Sequence, residues 1–172
     1  MDKMIYKRYF TAVGMLIVFG ALSPNMLLAI PAAAESLLKE YAQLAKRENP
    51  GFQGFQAGKG KELFFLERRH TKKNEMRSCT TCHTNNPKAQ GKTLTGKPID
   101  PLSPQVNPKR LTVEQDIRKW FRRNCTQVLE RECTAVEKGD FLYFLLSNFL
   151  PISTGNFISP RSLKDNSISY SF

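Results

Sequence analysis

Two thiols three positions apart, with an imidazole directly after the second, stand in the run Ser78-Cys79-Thr80-Thr81-Cys82-His83-Thr84. That spacing suits covalent haem attachment: Cys79 and Cys82 supply thioether sulfurs and His83 binds the iron. Two other chemistries use a Cys-x-x-Cys pair, and neither fits as well. A zinc site wants its second pair of ligands closely spaced too. Here the remaining cysteines, Cys125 and Cys133, lie eight apart, and His70 is the only other imidazole. A thioredoxin-like redox pair needs a preceding strand and alternating βα units, whereas the residues before Cys79 read RRHTKKNEMRS, hydrophilic and loop-like.

A chain of 172 residues suffices for one domain with its own core and is short for two. Its first residues carry Lys3, Lys7 and Arg8, followed by an apolar run from Tyr9 to Leu22 and by Ala32-Ala33-Ala34 before Glu35. This is the pattern of an export signal, residues 1–34, cleaved after Ala34, and it implies a periplasmic location. The competing reading is an uncleaved anchor, since the apolar patch Met26 to Ile30 lengthens the stretch; Pro24 and Asn25 interrupt it.

Lys and Arg number 26 against 15 Asp and Glu, and loss of the leader leaves a net charge of about +9. Such a balance raises nucleic acid as a partner, but no aromatic-basic RNA or DNA motif is present, so none is expected. A solvated basic surface partly offset by haem propionates, or one that steers an acidic redox partner, accounts for the charge. In an oxidising compartment the two cysteines outside the haem motif must also be accounted for. Cys125 and Cys133 could close a small loop worth on the order of 2.5 kcal/mol.

Leu37, Leu38, Tyr41, Leu44 and Ala45 recur at helical spacing and predict a helix ending near Asn49-Pro50. A glycine-bearing loop follows, then a second helix from about Lys59 to Arg68. In that helix Gly60 stands four residues before Phe64, so another helix can cross closely there. Seven prolines and glycines between Thr84 and Pro108 deny that segment a long helix or central strand. Ile99, Leu102 and Val106 favour a loop packed over a haem edge. Thr112 to Gln115 and Thr134 to Glu137 both fit a capping box. The first opens a helix with Val113, Ile117, Trp120 and Phe121 on one stripe; the second opens an apolar helix through Phe141, Leu142, Leu145 and Leu146 that stops before Pro151. No period-two strand pattern appears, so the expectation is an all-α domain over residues 35–150 with a weakly ordered tail, 151–172.

What fills the sixth position on the iron follows by subtraction. Met1, Met4, Met15 and Met26 lie in the leader, and Met76 is only three residues before Cys79, too close to loop around the haem plane. The position then falls to His70, to another nitrogen or oxygen ligand, or to none. Asn124 lies four after Trp120 and seven after Ile117, on the same helical arc. An amide buried there needs a partner, and iron can serve; equally, asparagine at that point reads as a helix C-cap. His70, in the charged segment ERRHTKK, reads as a solvated loop histidine before it reads as a ligand.

The runs SCTTCH, GKTLTGKPIDPLSP, KWFRRNC, RECT and EKGDFLYFL, spanning roughly residues 58–147, together resemble the sphaeroides haem protein type of monohaem cytochrome c. The resemblance implies a class I cytochrome c fold with one covalent haem c, His83 on one axial position and the asparagine of RNC, Asn124, on the other. It implies a Cys125–Cys133 disulfide and an asparagine that leaves the iron on reduction, opening a site for oxygen or nitric oxide. It also implies a dihaem cytochrome c or a membrane cytochrome b as electron donor. The function expected is electron transfer with diatomic-ligand binding. The alternatives are a plain carrier whose haem stays six-coordinate and a minor reductase of oxygen or a nitrogen oxide. No acid-base constellation supports turnover, so an electron-transfer protein is favoured over an enzyme. Lys92, Lys97 and Arg110 are candidates to meet the propionates, or are solvent-facing charges.

Overall fold

The computed structural model describes residues 30–147. The expected leader up to residue 29 and the expected tail lie outside the described residues. Among those described, no helix is long and apolar enough to cross a membrane.

The first helix, α1 (Ala32–Glu48), buries Ala34, Leu37, Leu38, Tyr41 and Ala45 along one face. Glu35 in its first turn and Lys46 and Arg47 in its last complement the helix dipole. The expected cleavage point after Ala34 thus falls inside the first turn of α1. The helix ends before Asn49 and Pro50, as its sequence predicts.

Helix α2 (Ala57–Phe65) stops earlier than its expected end at Arg68. Leu66 turns extended, and Arg68–His70 (β1) pairs antiparallel with Glu75–Arg77 (β2). Asn74 closes the hairpin at a φ of 51°, a conformation asparagine tolerates. The cause of the early stop is tertiary. Glu130, far along the chain, accepts hydrogen bonds from the backbone N–H and the hydroxyl of Thr71, and Arg77 Nη1 donates to the carbonyl of Gln127. Contacts of that range leave no local periodicity to read.

Helix α5 (Ala135–Ser147) is the centre of the fold, with α2 and α1 both packed on it. Where α2 crosses, Gly60 lies against the backbone of Asp140: a Cβ at position 60 would overlap the Asp140 carbonyl and stand 2.8 Å from Phe144 Cβ. Phe64 then packs on Phe144 and Leu145 without solvent exposure. Gly139 gives similar room to the Phe55 ring. The buried Asp140 carboxylate accepts the Gln56 backbone N–H at 2.7 Å, serving an otherwise free donor at the start of α2. Burial raises the Asp140 carboxyl above the ordinary aspartate range, and that hydrogen bond opposes the rise.

The capping box at Thr134 forms: the Glu137 carboxylate accepts the Thr134 N–H at 2.9 Å, and the Thr134 hydroxyl accepts the Glu137 N–H at 3.1 Å. Arg131 grips the same carboxylate with both guanidinium nitrogens. Thr134→Ala is expected to lower stability by about 1 kcal/mol, seen as a drop of roughly 4 °C in the thermal midpoint. The other predicted box does not form. Helix α4 (Glu114–Leu129) begins after Val113 without a side-chain cap, because Leu111 adopts a φ of 60° and turns the Thr112 hydroxyl to donate to the Lys109 carbonyl. The expected α4 stripe is also narrower than drawn. Ile117 is buried and Phe121 half-buried, whereas Val113 and Trp120 are 50% and 40% exposed.

Between Thr84 and α4 the chain is an ordered loop containing a second short hairpin, β3 (Gly91–Lys92) with β4 (Pro98–Ile99). Two minimal hairpins therefore accompany an otherwise helical fold, although no strand was expected. The Pro87 carbonyl accepts the N–H groups of both Leu102 and Ser103 at 2.9 Å. Leu102 and Leu111 pack on the Phe64, Phe144 and Leu145 cluster, as the loop reading requires, while Val106 stays half exposed.

Candidate haem site

The haem motif is built by hydroxyls as much as by cysteines. Ser78 is buried; its N–H donates to Thr81 Oγ1 at 3.0 Å, and its own hydroxyl bonds Thr80 Oγ1. This pins the entry to a single helical turn, α3 (Thr80–His83), preceded by Cys79. The run of Ser and Thr around the cysteines was the signal for it, since these side chains bond nearby backbone. Thr84 ends the turn at a φ of 58°, redirecting the chain immediately after His83. Gly91 of β3 presses on the motif from outside: a Cβ there would overlap the Cys82 carbonyl and lie 3.1 Å from His83 Cα. Sequence reading missed this close approach.

Cys79, just before that turn, and Cys82, within it, carry free thiols. Burial pushes the Cys79 thiol up to about 11, and Cys79 packs beside Phe64, Phe144 and Leu145. Burial, with the Arg110 guanidinium nearby, pulls His83 down to about 4. The imidazole is therefore neutral across the physiological range and keeps a nitrogen lone pair for a metal. Arg110 is itself fixed, donating from Nε to the Pro101 carbonyl at 2.9 Å and from Nη2 to the Asp100 carbonyl at 2.8 Å. Lys92 and Lys97 are exposed.

Asn124 lies within α4, half-buried, five residues before the helix ends. The C-cap alternative is thereby removed: the cap is Glu130, in the left-handed conformation at φ 56°. Among the described residues no hydrogen bond to the Asn124 side chain is present, and the half-buried amide is open to water or to a ligand. The next residue, Cys125, is bonded to Cys133 with Cα atoms 5.6 Å apart, within ordinary disulfide geometry. Leu129, Leu63, Phe121 and Val128 pack around that bridge.

His70 is not the solvated histidine its charged surroundings suggest. It is 9% exposed, in β1, with Nδ1 3.3 Å from the Glu130 carboxylate. The Glu130 carboxylate in the cap of α4, sixty residues on, stands beside it, and among the described residues Nδ1 neither accepts nor donates a hydrogen bond.

These residues fit a haem. Two unbridged thiols stand at the start of one turn and within it, a neutral imidazole follows them, a glycine allows the loop to close on the turn, and a half-buried amide is carried on a separate helix. Fold and site together are those of a c-type cytochrome of the class I kind.

The chain belongs to the family described as Domain of unknown function (DUF1924), whose model matches residues 50–145. It is 36% identical over 135 residues to cytochrome c'' of Methylophilus methylotrophus, covering 78% of this chain and 93% of that protein. It is 43% identical over 89 residues to the cytochrome c-type protein SHP of Cereibacter sphaeroides, covering 52% of this chain and 68% of that one. Among solved structures, oxidised SHP, titled an oxygen binding cytochrome c, superposes with a TM-score of 0.57 at 34% identity, covering 65% of this chain and 94% of that one. The solution structure of Methylophilus methylotrophus cytochrome c'', described for the structural basis of its haem-ligand detachment, superposes with a TM-score of 0.61 at 34% identity, covering 69% of this chain and 95% of that one.

Proposed function

We propose that this chain is an exported, periplasmic electron-transfer cytochrome with one haem, bound through Cys79 and Cys82, whose ferric iron is held between His83 and Asn124. On reduction Asn124 would release the iron, and that position would be open to oxygen or nitric oxide. The observation that carries this reading is Asn124 itself: an amide well inside α4, without a partner among the described residues, in a chain whose methionines and second histidine offer no better ligand.

When bound, haem would supply one-electron chemistry, with His83 and Asn124 as the residues that hold its iron. The protein supplies the selectivity. His83, kept neutral by burial, is a permanent donor. A carboxamide oxygen is a hard, uncharged donor that suits ferric iron better than ferrous, so its hold weakens when the electron arrives. Oxygen binding by SHP and haem-ligand detachment in cytochrome c'' are the behaviours this arrangement would produce here. A dihaem cytochrome c or a membrane cytochrome b is the proposed electron donor.

The test is optical. Dithionite-reduced protein is expected to show a five-coordinate ferrous spectrum that shifts on adding carbon monoxide or nitric oxide, while the oxidised protein is low-spin. An unchanged low-spin, six-coordinate spectrum in both oxidation states, with no carbon monoxide shift, would make the chain a plain carrier.

A further inference from the structure

Residues 125 to 133 form a loop closed by the disulfide, and the residue before it is Asn124. Two groups of that loop hold the β1–β2 hairpin, and the hairpin leads through Ser78 into Cys79. The Glu130 carboxylate accepts the Thr71 N–H at 2.9 Å and the Thr71 hydroxyl at 2.6 Å, and stands 3.3 Å from His70 Nδ1. The Gln127 carbonyl, in the last turn of α4, accepts Arg77 Nη1 at 3.2 Å. The Thr71 bonds, with other backbone and charge contributions, keep the Glu130 carboxyl below the usual glutamate range, so it is ionised when it makes them.

We propose that Glu130 is a positioning residue, clamping the disulfide loop to the β1–β2 hairpin and so fixing the turns of α4 that carry Asn124 relative to the segment that carries Cys79. The inference rests on the reading of Asn124 as the sixth ligand. A weak neutral donor competes for iron only if its backbone is held in place, because ordering a free segment would consume the small binding energy it offers. The disulfide alone shortens the loop; it does not tie the loop to the part of the chain that holds the haem. Glu130 does. His70, buried in β1, sets its Nδ1 facing that same carboxylate.

Arg131 provides the control. It lies in the same loop but grips Glu137 of α5 and, among the described residues, makes no hydrogen bond to the hairpin. In the ferric holoprotein, Glu130→Ala is expected to raise the high-spin fraction and to increase the affinity for azide by about five- to tenfold, the scale of a typical coupling between two sites. Amide hydrogen exchange across Phe121 to Leu129 should quicken with it. Thr71→Val, which removes only the hydroxyl bond, should move both readouts in the same direction by less. Arg131→Ala should lower the unfolding midpoint while leaving azide affinity and the spectrum as in wild type.

Asn124→Ala is measured alongside. If Asn124→Ala shifts the ferric spectrum and azide affinity but Glu130→Ala and Thr71→Val do not, the clamp is refuted and the ligand stands. If Asn124→Ala changes neither, the ligand assignment fails and takes the clamp with it. Equal effects from Glu130→Ala and Arg131→Ala would reduce Glu130 to general stability and overturn the proposal.

Discussion

Gly60→Ala is expected to destabilise the protein by about 3 kcal/mol, against an intrinsic helix preference that runs the other way. Alanine is favoured over glycine in a helix interior by about 1 kcal/mol, so a substitution judged by propensity alone should stabilise. Packing decides the sign. The new methyl would overlap the Asp140 carbonyl, which is backbone of α5 and cannot swing aside, and would also crowd Phe144 Cβ. The two helices must separate, and the burial of Phe64 against Phe144 and Leu145 loosens with them. Gly58 makes the comparison internal. It lies in the same helix with nothing within 4 Å of an added Cβ, so Gly58→Ala should be neutral or stabilising by up to about 1 kcal/mol. Guanidinium unfolding of the two holoproteins is the measurement. A Gly60→Ala variant as stable as wild type would mean that α2 and α5 do not meet where the structure places them.

That crossing is legible in the sequence, because a glycine four residues before a phenylalanine opens one helix face to close approach by another helix. The same is true of α1, whose apolar positions recur at 3.6 residues, and of the Thr134 box, whose reciprocal bonds are local. What escaped was set by partners distant in the chain. The β1–β2 hairpin buries one of the three residues of β1, His70, and neither of its strands alternates. It is tied to Glu130 and Gln127, fifty-nine and fifty residues on. Thr112 carries the same signature as Thr134 but loses the competition to a left-handed Leu111 one residue earlier. At the site, the cysteines and His83 announce themselves by spacing, whereas Gly91 is visible only once the loop has folded back on Cys82. Asn124 falls between: its helical arc was readable, and the length of α4 was needed to exclude a capping role.

For Asn124 the expected outcomes differ by substitution, and together they test the amide more stringently than deletion does. On the proposed ligation Asn124→Ala removes the donor, so ferric protein should turn largely high-spin and bind azide or imidazole without a competing side chain. Asn124→Asp replaces a neutral oxygen with an anionic one, which favours ferric over ferrous iron. The reduction potential should fall by at least about 60 mV, the equivalent of a tenfold shift in relative affinity for a one-electron couple. Asn124→Met supplies a thioether, a donor that raises the potential in cytochromes and that stays on ferrous iron. That variant should remain six-coordinate in both states and lose the carbon monoxide response. Folding should survive all three changes, since the side chain is only half-buried and has no protein partner among the described residues to lose. The three substitutions thus order the potential as Asp below Asn below Met, and only the asparagine should combine a low-spin ferric state with an open ferrous one. A potential that fails to follow the donor at position 124 would place a different atom on the iron.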